Sequence, residues 1–229
     1  MTLSGLSLWL RQAVVSRPRC VLCDLAKEDT GSETAFAASR CLIRIIPAVS
    51  KNTFSASKLR PDRNAVRLLA KGDTANCSLP PTPRYNSSIL ADTTYFEHLA
   101  QLHEISSEAK AFKDACLLGR TWLKQRGFSS NINQGGFGHA EWSILMSLLL
   151  KGGGSKGSSV LVKGYSNYQM FKAMLQFLAT RDLITNPLLF DAESESVRWP
   201  NGPNVFDGKI GLNILFKMTE WGYRLVYFI

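Results

Sequence analysis

The chain has 229 residues, 45% hydrophobic and 20% charged, which is enough apolar material for a sizeable core and excludes a disordered polyelectrolyte. With 27 Lys and Arg against 18 Asp and Glu the formal net charge is +9, which suits a polyanionic partner: RNA, DNA or an acidic protein surface. Five cysteines form an odd set with a single Cys-x-x-Cys pair, Cys20 and Cys23, which points to free thiols in a reducing compartment and argues against a zinc site.

Met1 to Arg19 holds Arg11, Arg17 and Arg19, no acid, and Leu3, Leu6, Trp9, Leu10, Ala13 and Val14 at helical spacing. That pattern fits a mitochondrial presequence or an artificial start, the cut end of a helix from a longer chain. Cys20 to Leu25 and Cys41 to Ile46 read as strands on either side of the polar Lys27 to Glu33 turn, and Pro47 ends the second by removing a ladder donor. Ser50 to Ser78 carries Lys51, Lys58, Arg60, Arg63, Arg67 and Lys71 with little periodicity and reads as a basic linker or a segment that crawls along the surface. The prolines of Leu79 to Tyr85 stiffen its tail and mark a domain boundary.

Asn86-Ser87-Ser88 supplies side-chain acceptors for a helix start, with Ile89, Leu90, Phe96, Leu99, Ala100 and His103 following at helical spacing. Asn86 also fits a glycosylation sequon, but the cap is the preferred reading. Ser107 to Arg126 predicts a second helix with Phe112, Ala115, Cys116, Gly119, Trp122 and Leu123 as its buried stripe, Lys113, Arg120 and Lys124 on another face, and Gly127 closing it. Gly135 to Gly154 is organised around Trp142 to Leu150, apolar but for Ser143 and Ser147, which predicts a buried helix with glycines at both ends. A helix capped near Ser166 is expected to turn Tyr168, Phe171, Met174, Leu175 and Leu178 inward. Short extended pieces at 188–190, 205–206 and 212–216 precede a last helix beginning near Thr219, which has no stop signal.

The candidate chemistry is sparse. Gly152-Gly153-Gly154-Ser155-Lys156-Gly157-Ser158-Ser159 has the letters of a phosphate loop in the wrong order, with the lysine ahead of the last glycine and a helix where a strand belongs. Gly136-x-Gly138 lacks the third glycine of a dinucleotide fingerprint, because Glu141 stands there. His139 and Glu141 are two apart and do not face each other on a helix, so Glu141 is expected to serve the positive helix end. His98 and His103 are five apart, a poor metal spacing, and the acids of Asp191-Ala192-Glu193-Ser194-Glu195 read as a solvated loop. What remains is basic: Lys58, Arg60, Arg63, Arg67 and Arg84 in the linker and Lys113, Arg120, Lys124 and Arg126 on or beside one helix could neutralise successive phosphates, or form a merely solvated face.

Several motifs in order then carry a family resemblance. They are Ile43-Arg44-Ile45-Ile46-Pro47, Phe54-x-x-Ser57-Lys58-Leu59, Pro81-Thr82-Pro83-Arg84-Tyr85-Asn86-Ser87-Ser88-Ile89-Leu90-x-Asp92, Phe112-Lys113-Asp114-Ala115-Cys116-Leu117-Leu118 with Thr121-Trp122-Leu123, Gly136-Phe137-Gly138-x-x-Glu141-Trp142, Ser166-x-Tyr168-Gln169-x-Phe171-Lys172, and Phe206-Asp207-Gly208-x-x-Gly211-Leu212-Asn213-Ile214. Together, over roughly Ser32 to Val226, they resemble the nucleolar RNA-associated protein (Nrap) family.

The resemblance implies an α+β chain. Residues 1–19 are unassigned, residues 20–78 would be the C-terminal part of a nucleotidyltransferase-like domain with a basic linker, and residues 79–229 a mainly helical poly(A)-polymerase-like domain. It implies a scaffold of the small-subunit processome in the nucleolus, with pre-ribosomal RNA and processome proteins as partners. No enzymatic role, catalytic residue, metal, cofactor, small-molecule substrate or membrane contact is expected. Active relatives place a third metal-binding carboxylate near Ile43 to Ile46, where this chain has Arg44 and no acid. Nothing in Met1 to Arg19 resembles the family, which favours the artificial start. The expected RNA-binding residues are Lys58, Arg60, Arg63, Arg84, Lys113, Arg120, Lys124 and Arg126, with Arg60, Arg84, Arg120 and Lys124 foremost. The alternatives are an active nucleotidyltransferase fragment and a purely protein-binding scaffold.

Overall fold

The apolar run from Trp142 to Leu150 becomes the central helix of the fold. The computed structural model describes residues 34–38, 41–45, 53–55, 57–66, 80–152, 159–191 and 202–227, and these fall into two compact units divided between Ala48 and Val49. The expected strand Cys20 to Leu25 and the readings of Met1 to Arg19, Lys51, Arg67 and Lys71 lie outside the described residues.

In the first unit β1 (Thr34–Ala38) pairs antiparallel with β2 (Cys41–Ile45), Thr34 opposite Ile45 and Ala38 opposite Cys41. β2 was legible in its alternation. β1 was not, because three of its five residues are alanine, a poor strand former.

In the second unit the helices are α1 (Pro83–Glu108), α2 (Phe112–Gln125), α3 (His139–Lys151), α4 (Asn167–Thr180) and α5 (Glu220–Tyr227). β3 (Leu188–Phe190) runs parallel to β4 (Val205–Asp207), which pairs antiparallel with β5 (Leu212–Asn213). The chain is thus α+β, with the second unit mainly helical. Among the described residues no helix is long and apolar enough to cross a membrane.

α3 packs against both α1 and α2, and α2 packs on α4. Trp142, Leu145, Met146 and Leu149 are fully buried on α3. The two serines are small enough to let the neighbouring helices approach: Gln101 Nε2 on α1 donates to Ser147 Oγ at 2.7 Å, and Ser143 is buried on the same helix as Ser147. Trp142 sits among Trp122, Phe137 and Phe171, with ring centroids 6.0, 6.2 and 5.9 Å away.

Of the glycines flanking α3, Gly136 and Gly152 turn the chain, while most of the Gly152 to Ser159 stretch lies outside the described residues. Gly136 has φ +67 and a Cβ there would meet the Lys217 carbonyl; Gly152 closes the helix at φ +80. Glu141 stands in the first turn, buried, where its Oε2 accepts the Gly138 amide (3.0 Å) and the Ser130 hydroxyl (2.5 Å), and its Oε1 faces Lys217 Nζ at 3.4 Å. It is a cap and a tie between loops, as its place at the positive helix end suggests.

Three sequence expectations are corrected. α1 starts at Pro83 rather than after Asn86, because proline is well suited to the first helical position, and it runs on to Glu108. Its apolar residues at helical spacing do not form one buried stripe: Leu90 packs partly buried against the core, but Phe96 and Leu99 are exposed while Asn86, Thr93, Thr94, His98 and Gln101 are buried. Burial of those polar groups is tolerated where partners exist; the Thr93 and Thr94 hydroxyls donate to the Leu90 carbonyl. On α4, capped at Ser166 as expected and closed by a box with Gln169, the buried residues are Met170, Met174, Phe177 and Leu178, and Tyr168 is exposed.

Candidate nucleic-acid interface

Residues 57–66, expected as part of a basic linker or surface-crawling segment, are tied to the start of α1. Asn86 is fully buried one turn into that helix, and its Nδ2 donates to the carbonyls of Arg60 (2.8 Å) and Arg63 (2.9 Å). The Thr82 amide donates to the Arg63 carbonyl, the Ala65 amide to Thr82 Oγ1, and Asn64 Nδ2 to the Pro80 carbonyl. Leu59 is the buried apolar anchor of the segment. Each of these bonds spans at least 16 residues, so no local pattern announces them.

The tie shapes a cavity of about 660 Å³, bounded by residues 53–66 and by Tyr85 and Ile89 of α1. Lys58 and Arg63 bring two cations to it, and among the described residues neither forms a salt bridge. Arg60 is directed elsewhere, its Nε 3.1 Å from Asp62 Oδ1 on the surface. Arg84 is exposed at the second position of α1.

The second basic group lies on α2. Lys113, Arg120 and Lys124, at spacings of seven and four, fall along one helix face, all exposed and with Leu117 between them. Among the described residues none of the three forms a salt bridge, so their charge is open to solvent. Arg126 is different: its guanidinium stacks 4.8 Å from the centroid of Trp122, which holds it over the aromatic cluster. The predicted residues therefore fall into two groups, and none of the α2 cations lines the cavity.

Among the described residues no set of three or more His, Cys, Asp or Glu is placed to hold a metal ion. Asp207 at the end of β4 is buried, which raises its carboxyl above the ordinary range against the hydrogen bonds from the Lys209 and Ile210 amides.

The sequence reading missed Asn86 as a clamp and Phe54, Tyr85 and Asn64 as cavity residues. A signal did exist: Phe54, Ser57, Lys58 and Leu59 come from one motif of the family resemblance, Tyr85 and Ile89 from another, and the fold brings the two motifs together.

Comparison with known proteins decides the family. Residues 16–108 match the model described as Nrap protein domain 1, and residues 111–228 match the Nrap protein PAP/OAS-like domain. The chain belongs to the Nrap family. The junction between the two Nrap models falls in the turn between α1 and α2. Among relatives, U3 small nucleolar RNA-associated protein 22 of Saccharomyces cerevisiae is 35% identical over 221 residues, 90% of this chain and 18% of the relative. The protein of the same name in Schizosaccharomyces pombe is 37% identical over 191 residues, 81% of this chain and 17% of its own length. Nucleolar protein 6 of Homo sapiens is 32% identical over 180 residues, covering 76% and 14%. This Nrap chain thus spans less than a fifth of the length of the curated relatives it matches.

Proposed function

We propose that this chain is a non-catalytic module of small-subunit ribosome assembly in the nucleolus, where it binds pre-ribosomal RNA and other components of the processome. The names of its relatives, a U3 small nucleolar RNA-associated protein and a nucleolar protein, support the setting. The finer fold reading goes with it: the β1–β2 unit as the remnant of a nucleotidyltransferase-like sheet, the helical unit as a poly(A)-polymerase-like domain. The absence of an acid from β2, whose residues are Cys41, Leu42, Ile43, Arg44 and Ile45, supports a role without bond-making.

The observation that carries RNA binding is the row of solvent-open cations on α2, Lys113, Arg120 and Lys124, in a chain of net charge +9. Such a row meets a phosphate backbone without reading sequence. A second reading, a protein-binding scaffold, is favoured by the exposed apolar residues of α1, where Phe96 is 61% and Leu99 43% exposed.

Recovery of the chain with pre-ribosomal particles, before and after nuclease treatment, separates the two. Loss of association after nuclease supports RNA binding, and undiminished recovery of the same proteins supports the scaffold. Incubation with magnesium, labelled nucleoside triphosphates and an RNA primer is expected to give no extension; incorporation of label would overturn the non-catalytic reading.

A further inference from the structure

We propose that the cavity between residues 53–66 and the first turns of α1 receives one nucleotide of a single-stranded RNA, with the base against Tyr85 or Phe54 and a phosphate facing Lys58 and Arg63. The inference rests on the RNA-binding reading and assigns that binding a place.

Its volume, about 660 Å³, lies within the range of small-molecule sites, about 300 to 1,000 Å³, and accommodates a nucleotide. The lining combines the three kinds of group that a single-stranded nucleotide uses. Tyr85 and Phe54 are 48% and 45% exposed, large rings left partly open to solvent on two different segments. Stacking platforms of this kind accept any base, because every base has a π face. Lys58 and Arg63 supply cations that no acid among the described residues neutralises. The Ser55 and Ser57 hydroxyls, 2.8 Å apart, and the Asn64 side chain give donors and acceptors for a ribose or base edge.

One wall is preformed. The bonds from Asn86, Thr82 and Asn64 hold residues 60–66 against the start of α1, so ordering these residues is not a cost that RNA binding has to meet. A duplex keeps its bases stacked and paired and cannot offer one to Tyr85 or Phe54, so the site selects single strands.

The test measures affinity of the 229-residue chain for a fluorescent ten-nucleotide RNA, for the same sequence as a duplex, and for AMP. Tyr85→Ala and Phe54→Ala are each expected to weaken single-strand binding by about 5-fold or more, in keeping with the loss of a stacked base, and to leave duplex binding unchanged. Tyr85→Phe retains the ring and is expected to retain affinity. Both side chains are exposed, so melting temperatures are expected to match the parent; should an alanine variant fold poorly, Lys58→Gln provides an independent loss of single-strand affinity. Equal weakening of single strand and duplex, or AMP binding as tightly as the oligonucleotide, would overturn the assignment to single-stranded RNA. RNA binding that none of these variants changes would overturn the cavity while leaving the RNA-binding reading intact, whereas no binding of either RNA by the parent would overturn both.

Discussion

Gly119 of α2 lies directly against the indole of Trp142 on α3: a Cβ placed on it would stand 2.3 Å from both Cε2 and Nε1 of the ring. Trp142 cannot easily retreat, because Trp122, Phe137 and Phe171 surround it. Gly119→Ala should gain about 1 kcal/mol of helix propensity and lose about 1 to 3 kcal/mol to overpacking. The expected outcome of urea unfolding is a net loss of stability. Trp142→Ala empties the centre of the cluster and is expected to cost about 3 to 5 kcal/mol; a Gly119→Ala variant more stable than the parent would contradict the packing described.

Asn86 holds the cavity wall in place. Asn86→Ala leaves the Arg60 and Arg63 carbonyls without their side-chain donor and is expected to cost about 1 to 3 kcal/mol. Hydrogen exchange should show faster exchange of the Arg63 and Ala65 amides with little change in α3. Uniform acceleration across the helical unit would mean that Asn86 supports the core rather than the clamp.

His98 is buried on α1, and desolvation lowers its pKa from 6.5 to about 4 against the opposing charge of Glu97. Above pH 6.5 the imidazole is neutral in both folded and unfolded chains and contributes no pH dependence. Between 6.5 and about 4 the unfolded chain binds the proton and the folded chain does not, so stability falls as pH drops, by about 3 kcal/mol in all. Asp207, raised by burial, acts in the opposite sense, because the folded chain holds its proton more readily. Urea midpoints for the parent and for His98→Gln, each at pH 7 and pH 5 in an Asp207→Asn background, isolate the effect: the parent is expected to lose more stability than the His98→Gln variant.

Burial pushes the Cys116 thiol up to about 11. The thiolate, the reactive form, is scarce at neutral pH. Site-resolved mass spectrometry after iodoacetamide treatment should find Cys116 unmodified in the folded chain and modified in urea. Rapid native labelling would contradict the burial.

The fold was legible where chemistry repeats locally. The apolar run of α3, the three- and four-residue spacing of Phe112, Ala115, Cys116, Gly119 and Leu123, and the cap at Ser166 each name their element. The break between α1 and α2 was legible but placed too early, the second helix starting at Phe112 rather than near Ser107, because Ala109 to Ala111 contains neither proline nor glycine to mark the spot. The burial along α1 was not legible because Thr93 and Thr94 find partners in the helix's own backbone, Gln101 in Ser147 and Asn86 in the Arg60 and Arg63 carbonyls, which hydropathy does not register. Of the candidate interface, the α2 cations could be read from helical periodicity. The meeting of Lys58 and Arg63 with Tyr85 could not, since it depends on hydrogen bonds between segments more than 15 residues apart.

The central claim, that the basic surface of this chain binds RNA through phosphates, is tested most directly by the salt dependence of its affinity for a single-stranded oligonucleotide. The slope of log affinity against log salt should be shallower by about 2 when Lys113, Arg120 and Lys124 are all replaced with alanine, at about 0.7 for each phosphate no longer neutralised. An unchanged affinity and slope in that triple variant would contradict the account.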